Sequence, residues 1–218
     1  MTGTTGFRIL LADDHAVVLK GLRALLGSQL GWQVCGEAKN GREAIEKVGQ
    51  LKPDVVIMDL NMPELNGLEA TRHIRKELPQ TEVLILTLHE SEQMMRQALD
   101  AGARGYVLKS DAGGELLAAV EAVRRHRLFL SSRASQMLGE ASTLPARGDV
   151  ATREPLSPRE RQILQLLAEG RSTKEVATAL DITVKTAETH RSNIMRKLDL
   201  HCITDVVRYA IRNQIVQP

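Results

Sequence analysis

Aromatic residues make up only 2% of this 218-residue chain. Its cores must therefore be built from Leu, Val, Ile and Ala. Binding of single-stranded nucleic acid by base stacking needs aromatic platforms and is disfavoured. Cysteine is almost as scarce. Cys35 and Cys202 lie far apart, with no CxxC and no Cys/His cluster, so no zinc site is expected and both thiols should be reduced and buried. No apolar run approaches the roughly 20 residues that span a bilayer. The opening Met1-Thr2-Gly3-Thr4-Thr5-Gly6 lacks the basic and apolar regions of a secretion signal. A soluble, cytoplasmic protein without membrane contact is expected. Internal repeats and low-complexity tracts are also missing.

Length permits one large domain or two small ones, and 43% apolar content is ordinary for compact cores. Net charge is +2 overall but unevenly spread: residues 1–130 carry −1 and residues 153–218 carry +3. The basic end is a mild pointer to nucleic acid.

Val55-Val56-Ile57-Met58, bounded upstream by Pro53, reads as a short buried strand that delivers Asp59 to its carboxyl end. In an open α/β sheet that end is where ligands bind. A lone Asp there is more often a helix cap. Here it has company. The strand-like Phe7–Ala12 stretch ends in Asp13-Asp14, Val83–Leu86 in Thr87, and Gly105–Leu108 in Lys109. Parallel strands would gather three carboxylates, a hydroxyl and an ammonium on one rim. Clustered carboxylates need a cation, and an all-oxygen set suits Mg²⁺ rather than Zn²⁺. The cation and Lys109 could neutralise a phosphoryl group while Asp59 serves as nucleophile for an acyl-phosphate.

These residues, in this order, resemble the receiver domain of two-component response regulators. The resemblance implies a flavodoxin-like, doubly wound, five-stranded parallel sheet with strand order 2-1-3-4-5. It also implies that Asp14 and Asp59 hold Mg²⁺, with the Asn61 carbonyl as a third ligand and Asp13 acting through water. Thr87 and Lys109 would contact the phosphoryl group, and Tyr106 would be the switch aromatic, with a plain core residue as the alternative reading. Many receivers follow the lysine with proline in a cis peptide, and Ser110 stands there instead.

Along the chain, Asp14 is placed to cap a helix with Val17, Val18, Leu22, Leu25 and Leu26 on one face. Val34–Ala38 reads as a strand, and Asn40-Gly41 as a turn before a helix with Ala44, Ile45 and Val48. Asn66-Gly67 opens a helix that closes before Pro79. Another runs from Glu92 to Leu99, with Gly102 as terminator, and Leu116, Leu117, Val120 and Val123 mark the last of this region. Strand alternating with helix means a parallel sheet covered on both faces. From Arg124 the pattern dissolves. One short helix is expected from about Ser131 to Leu138, and Gly139 to Pro155, without periodicity, reads as a flexible linker. The domains are thus 7–125, a linker 126–152, and 153–218.

The last third is helical in pattern. Leu156-Ser157-Pro158-Arg159-Glu160 combines a Ser cap, Pro at the first helical position and Glu in the first turn. Ser172 opens a second helix and Asp181-Ile182-Thr183 is a tight turn. Val184 to Leu198 is a third helix and about Thr204 to Asn213 a fourth, which makes a small all-α helix-turn-helix domain. With Ala168-Glu169-Gly170, Lys174-Glu175-Val176-Ala177, Lys185-Thr186, His190 and Lys197-Leu198, it resembles the LuxR-type DNA-binding domain. Joined to a receiver, it is similar to the NarL/FixJ class of transcriptional response regulators.

In the third helix Ala187, Ile194 and Leu198 share a core face, while Lys185, Glu188, Thr189, Ser192 and Arg196 share another, aimed at a major groove. Lys185, Arg191 and Lys197 are the expected phosphate contacts, and Glu188 could accept from a cytosine amino group. The family often has Val and Lys where Ala187 and Glu188 stand.

The expected function is a phosphorylation-activated, DNA-binding transcriptional regulator and not an enzyme. Its expected partners are a cognate histidine kinase, double-stranded promoter DNA, a second copy on activation, and RNA polymerase. One rival is a receiver that dimerises without phosphorylation. The other is a phosphoaspartyl phosphatase, whose chemistry wants an acid/base Asp at the position of Asn61.

Overall fold

The computed structural model describes residues 6–139, 156–213 and 215–216. They fall into two compact units, and the chain passes from one to the other between residues 139 and 156. Most of the linker anticipated over Gly139 to Pro155 therefore lies outside the described residues.

In the first unit the strands are β1 (Phe7–Ala12), β2 (Trp32–Ala38), β3 (Val55–Met58), β4 (Glu82–Thr87), β5 (Gly105–Leu108) and β6 (Phe129–Leu130). All pair in parallel, in the order β2-β1-β3-β4-β5-β6. The sheet thus has one strand more than the five expected: Gly105 and Tyr106 of β5 pair with Phe129 and Leu130. Two residues are too short to show any period in sequence. β3, β4 and β5 are buried along their whole length, as a sheet covered on both faces requires.

The intervening helices are α1 (Ala16–Gly27), α2 (Gly41–Leu51), α3 (Gly67–Glu77), α4 (Glu92–Asp100), α5 (Ala112–Arg124) and α6 (Ser132–Gly139). Asn40 and Asn66 cap α2 and α3, accepting from the amides of Glu43 and Glu69. Asp14, however, does not cap α1. His15 occupies that position without a side-chain cap, because the carboxylates before it are engaged elsewhere. Nor is Val17 on the inward stripe: Leu19, Leu22 and Leu26 are buried there, and Val17 is 85% exposed on the opposite side. One core is shared by Ile9, Leu11, Ile57, Leu84, Leu86 and Val107 of the sheet with α1 and α5.

In the second unit, α7 (Pro158–Ala168), α8 (Thr173–Ala179), α9 (Val184–Lys197) and α10 (Ile203–Arg212) enclose a core of Ile163, Leu164, Leu167, Val176, Ala187, Ile194, Val206 and Ala210. Ser157–Glu160 and Ser172–Glu175 are full capping boxes. The turn between α8 and α9 is made by Asp181 at φ +52°, a left-handed position that a short polar side chain tolerates. Cys202 is exposed and Cys35 half-buried, so the two thiols are not the buried pair anticipated. Cys202 sits at the start of α10 rather than inside it.

Candidate functional site

The register of the sheet makes the acidic rim. Ala12 of β1 pairs with Met58 of β3, so Asp13 and Asp59, the next residue of each, emerge side by side. Backbone bonds hold the arrangement beyond the strands: Asp59 N donates to Ala12 O (2.8 Å), and Asp13 N to Ala38 O (3.0 Å). β1 and β3 are neighbours whose onward connections run in opposite directions, to β2 on one side and β4 on the other, and so open a crevice between them. α3 closes on Asp59 from one side. A Cβ on Gly67 would stand 1.9 Å from Asp59 O, so only glycine fits.

Asp59 is 4% exposed. Lys109 Nζ lies 2.7 Å from Asp59 Oδ2 and 2.7 Å from Asp13 Oδ2. Burial raises the Asp59 carboxyl to about 6, against the lowering effect of Lys109. Burial alone would lower the Lys109 ammonium, but the charges and hydrogen bonds of Asp59 and Asp13 outweigh it and leave it raised. The Lys109–Ser110 peptide bond is trans.

Asp13, Asp14, His15 and Asp59 each bring one ligand atom within 4.8 Å of the others. His15 Nδ1 lies 3.1 Å from Asp13 Oδ1 and 2.8 Å from Asp14 Oδ1. Reading the sequence did not single out His15; its adjacency to Asp13-Asp14 was the available signal. Asn61 Oδ1 is buried without a hydrogen-bond partner. Three carboxylates and an unpartnered amide oxygen form an oxygen-rich donor set that suits a hard cation such as Mg²⁺.

The remaining rim residues connect through His89, also not foreseen. Its backbone N–H donates to Thr87 Oγ1 (3.3 Å), and Tyr106 Oη donates to its carbonyl (2.9 Å). Its ring Nε2 contacts Asn61 Nδ2. Burial, then the Lys109 charge, lowers the His89 pKa. Tyr106 is fully buried, and burial followed by the Asp59 charge raises its phenol. Tyr106 is both core and linked to the rim, so its two readings are compatible.

In the helical unit, α9 buries Ala187 and Ile194 and half-buries Leu198. Lys185, Glu188, Thr189, Ser192 and Arg196 are exposed on its far side. Thr183 caps the helix through the Thr186 amide (3.1 Å). Two of the expected phosphate contacts are engaged within the unit. Arg191 donates to Thr173 Oγ1 (3.3 Å), and Lys197 Nζ lies 2.7 Å from Glu160, whose side chain is buried.

A six-stranded receiver-type fold with an acidic rim, followed by a helix-turn-helix unit, defines a signal-controlled DNA-binding protein. Comparison with known proteins gives the family. The receiver-domain model of response regulators matches residues 9–121, and that of the bacterial regulatory proteins of the luxR family matches residues 154–210. The transcriptional regulatory protein MctR of Rhizobium johnstonii is 39% identical over 216 residues, which cover 99% of this chain and 98% of that protein. The oxygen regulatory protein NreC of Staphylococcus haemolyticus is 39% identical over 214 residues, covering 96% and 99%. Among solved structures, the RcsB response regulator of Salmonella typhimurium matches with a TM-score of 0.65 at 26% identity, over 97% of this chain and 99% of that one.

The chain belongs to the LuxR-type response regulators of two-component systems, in the NarL/FixJ class. It is a phosphorylation-dependent, DNA-binding transcriptional regulator and not an enzyme. Among the described residues no helix is long and apolar enough to cross a membrane.

Proposed function

We propose that Asp59 is the phosphoryl acceptor, and that Asp13, Asp14, Asp59 and Asn61 hold Mg²⁺ beside it. The contact between Lys109 and the buried Asp59 carboxylate is the observation that carries this reading. The bound cation would supply charge neutralisation to the transferring phosphoryl group. An Asp59 carboxylate oxygen attacks the phosphorus of a phosphohistidine on the partner kinase. The new O–P bond replaces the P–N bond, whose electron pair leaves with the imidazole. Lys109 holds the carboxylate in place and then faces the phosphoryl oxygens as a point charge. Thr87 offers its hydroxyl to the same group, and Tyr106 responds through His89.

The output is the exposed face of α9, with Lys185, Glu188, Thr189, Ser192 and Arg196 set against DNA and Arg191 at its flank. Lys197 belongs to the same basic end, but its pairing with Glu160 makes it a support for the helix. RcsB has been solved as an RcsB–DNA complex and as two dimers bound to two parallel DNAs, both at a TM-score of 0.59. By that likeness a second copy of this chain joins on activation, in the cytoplasm, over the domains 7–125 and 153–218. Contact with RNA polymerase at the promoter completes the proposed set of partners.

The test is incubation of the full chain with acetyl phosphate and Mg²⁺, read by intact mass. One phosphate is expected on the wild type and none on Asp59→Asn. Continued labelling of that variant would reject the assignment.

A further inference from the structure

Three consecutive residues at the start of α6 are each held by an acidic side chain: Asp111 and Glu90 from loops at the active rim, and Glu115 from the first turn of α5. Ser131, fully buried, donates its hydroxyl to Asp111 Oδ2 (2.9 Å) and its amide to Tyr106 O (3.0 Å). The Ser132 amide donates to Glu115 Oε2 (3.0 Å), and Arg133 pairs with Glu90 Oε1 (2.7 Å). Asp111 stands two residues after Lys109 and Glu90 three after Thr87. The strap formed by β6 and the start of α6 is therefore tied to both loops that carry the phosphoryl-contacting groups. One tie is firm: Ser131 and Ala134 are fully buried and β6 extends the sheet. The other is light, since Arg133 and Glu90 are both more than half exposed.

We infer that β6–α6 is a readout element, docked while Lys109 is shared by Asp13 and Asp59 and Thr87 accepts from His89, and loosened when a phosphoryl group on Asp59 draws Thr87 and Lys109 to itself. The input rests on the Asp59 assignment above; the output to Ser131-Ser132-Arg133 is separate from it. Turning the Thr87 hydroxyl away releases the His89 amide and shifts the loop that carries Glu90. Moving Lys109 shifts the loop that holds Asp111. Both changes remove partners from the strap, and neither adds one. The segment so released is the one through which the chain continues toward the DNA-binding unit.

Hydrogen exchange of the full chain tests this in two arms. In the first, acetyl phosphate and Mg²⁺ are added, and uptake of one phosphate is verified by intact mass. Exchange over 129–137 should rise about fivefold, the equivalent of about 1 kcal/mol. Phosphorylated protein with unchanged or slower exchange there overturns the inference while leaving Asp59 as acceptor. The second arm needs no phosphate. Because coupling is reciprocal, Arg133→Ala should speed exchange in the loop at residues 88–91 as well as in the strap. If only the strap responds, the coupling is absent and the inference falls, whatever accepts phosphate.

Discussion

Lys109 Nζ lies 2.7 Å from Asp59 Oδ2, yet the Asp59 carboxyl is raised to about 6 rather than lowered. Burial outweighs the cation. Removing a carboxylate from water costs several kcal/mol, and one shared ammonium offsets only part of it. The ionised rim is therefore held against folding stability and is a place where charge, or a cation, is wanted.

A stability prediction follows from that sign. Asp59 has an ordinary value of 3.8 and a folded value of about 6, so between these the native state binds more protons than the unfolded one. Its contribution is fully present below pH 3.8 and is lost as pH rises through about 6. In EDTA, Asp59→Asn should exceed wild type at pH 7.5 by on the order of 1–3 kcal/mol. The gap should close toward pH 4. Urea unfolding across that range checks it, and a gap independent of pH would contradict it.

Metal binding should restore what the charges cost. Mg²⁺ well above its dissociation constant should stabilise wild type by about 2.7 kcal/mol at a hundredfold excess over that constant. Asp14→Ala should lower affinity by about tenfold or more, shown by calorimetric titration. Equal affinity would remove Asp14 from the site.

Lys197 and Lys185 should behave as different kinds of lysine. Lys197 neutralises the buried Glu160, which also completes the cap of α7. Lys197→Ala should lower the stability of the helical unit, with little effect on the salt dependence of DNA binding. Lys185→Ala should leave stability unchanged and reduce the slope of log K against log[salt] by about 1. Thermal unfolding beside salt titrations separates the two.

Glu188 is exposed within the proposed reading face. Accepting from a cytosine amino group, it should lose on the order of 1–3 kcal/mol at the preferred site as Glu188→Ala, with selectivity relaxed at that one position. Uniformly tighter binding to a set of single-base variants would show a charge that only repels the backbone.

The architecture was legible because it repeats strong signals: β-branched runs, Asn and Ser caps, and 3.6-residue apolar stripes. The rim was legible for the same reason, since Asp13, Asp59 and Lys109 directly follow strands, Thr87 ends one, and parallel register aligns strand ends. What escaped notice had no period. β6 is two residues long, and its strand partners are Gly105 and Tyr106, far back in sequence. His89 joins the site through its backbone as much as its ring, which no residue type announces. The error at α1 came from treating Asp14 as a cap when His15 bridges Asp14 and Asp13 instead. Lys197 was read by charge alone, and its partner Glu160 lies 37 residues away.

The most direct measurement is the affinity of the full chain for its promoter DNA with and without acetyl phosphate and Mg²⁺, at one fixed salt concentration, for wild type and Asp59→Asn. Phosphorylation of Asp59 should tighten wild-type binding by tenfold or more, about 1.4 kcal/mol, and leave the variant unchanged. Equal affinity of phosphorylated and untreated wild type, or the same gain in Asp59→Asn, would contradict the account.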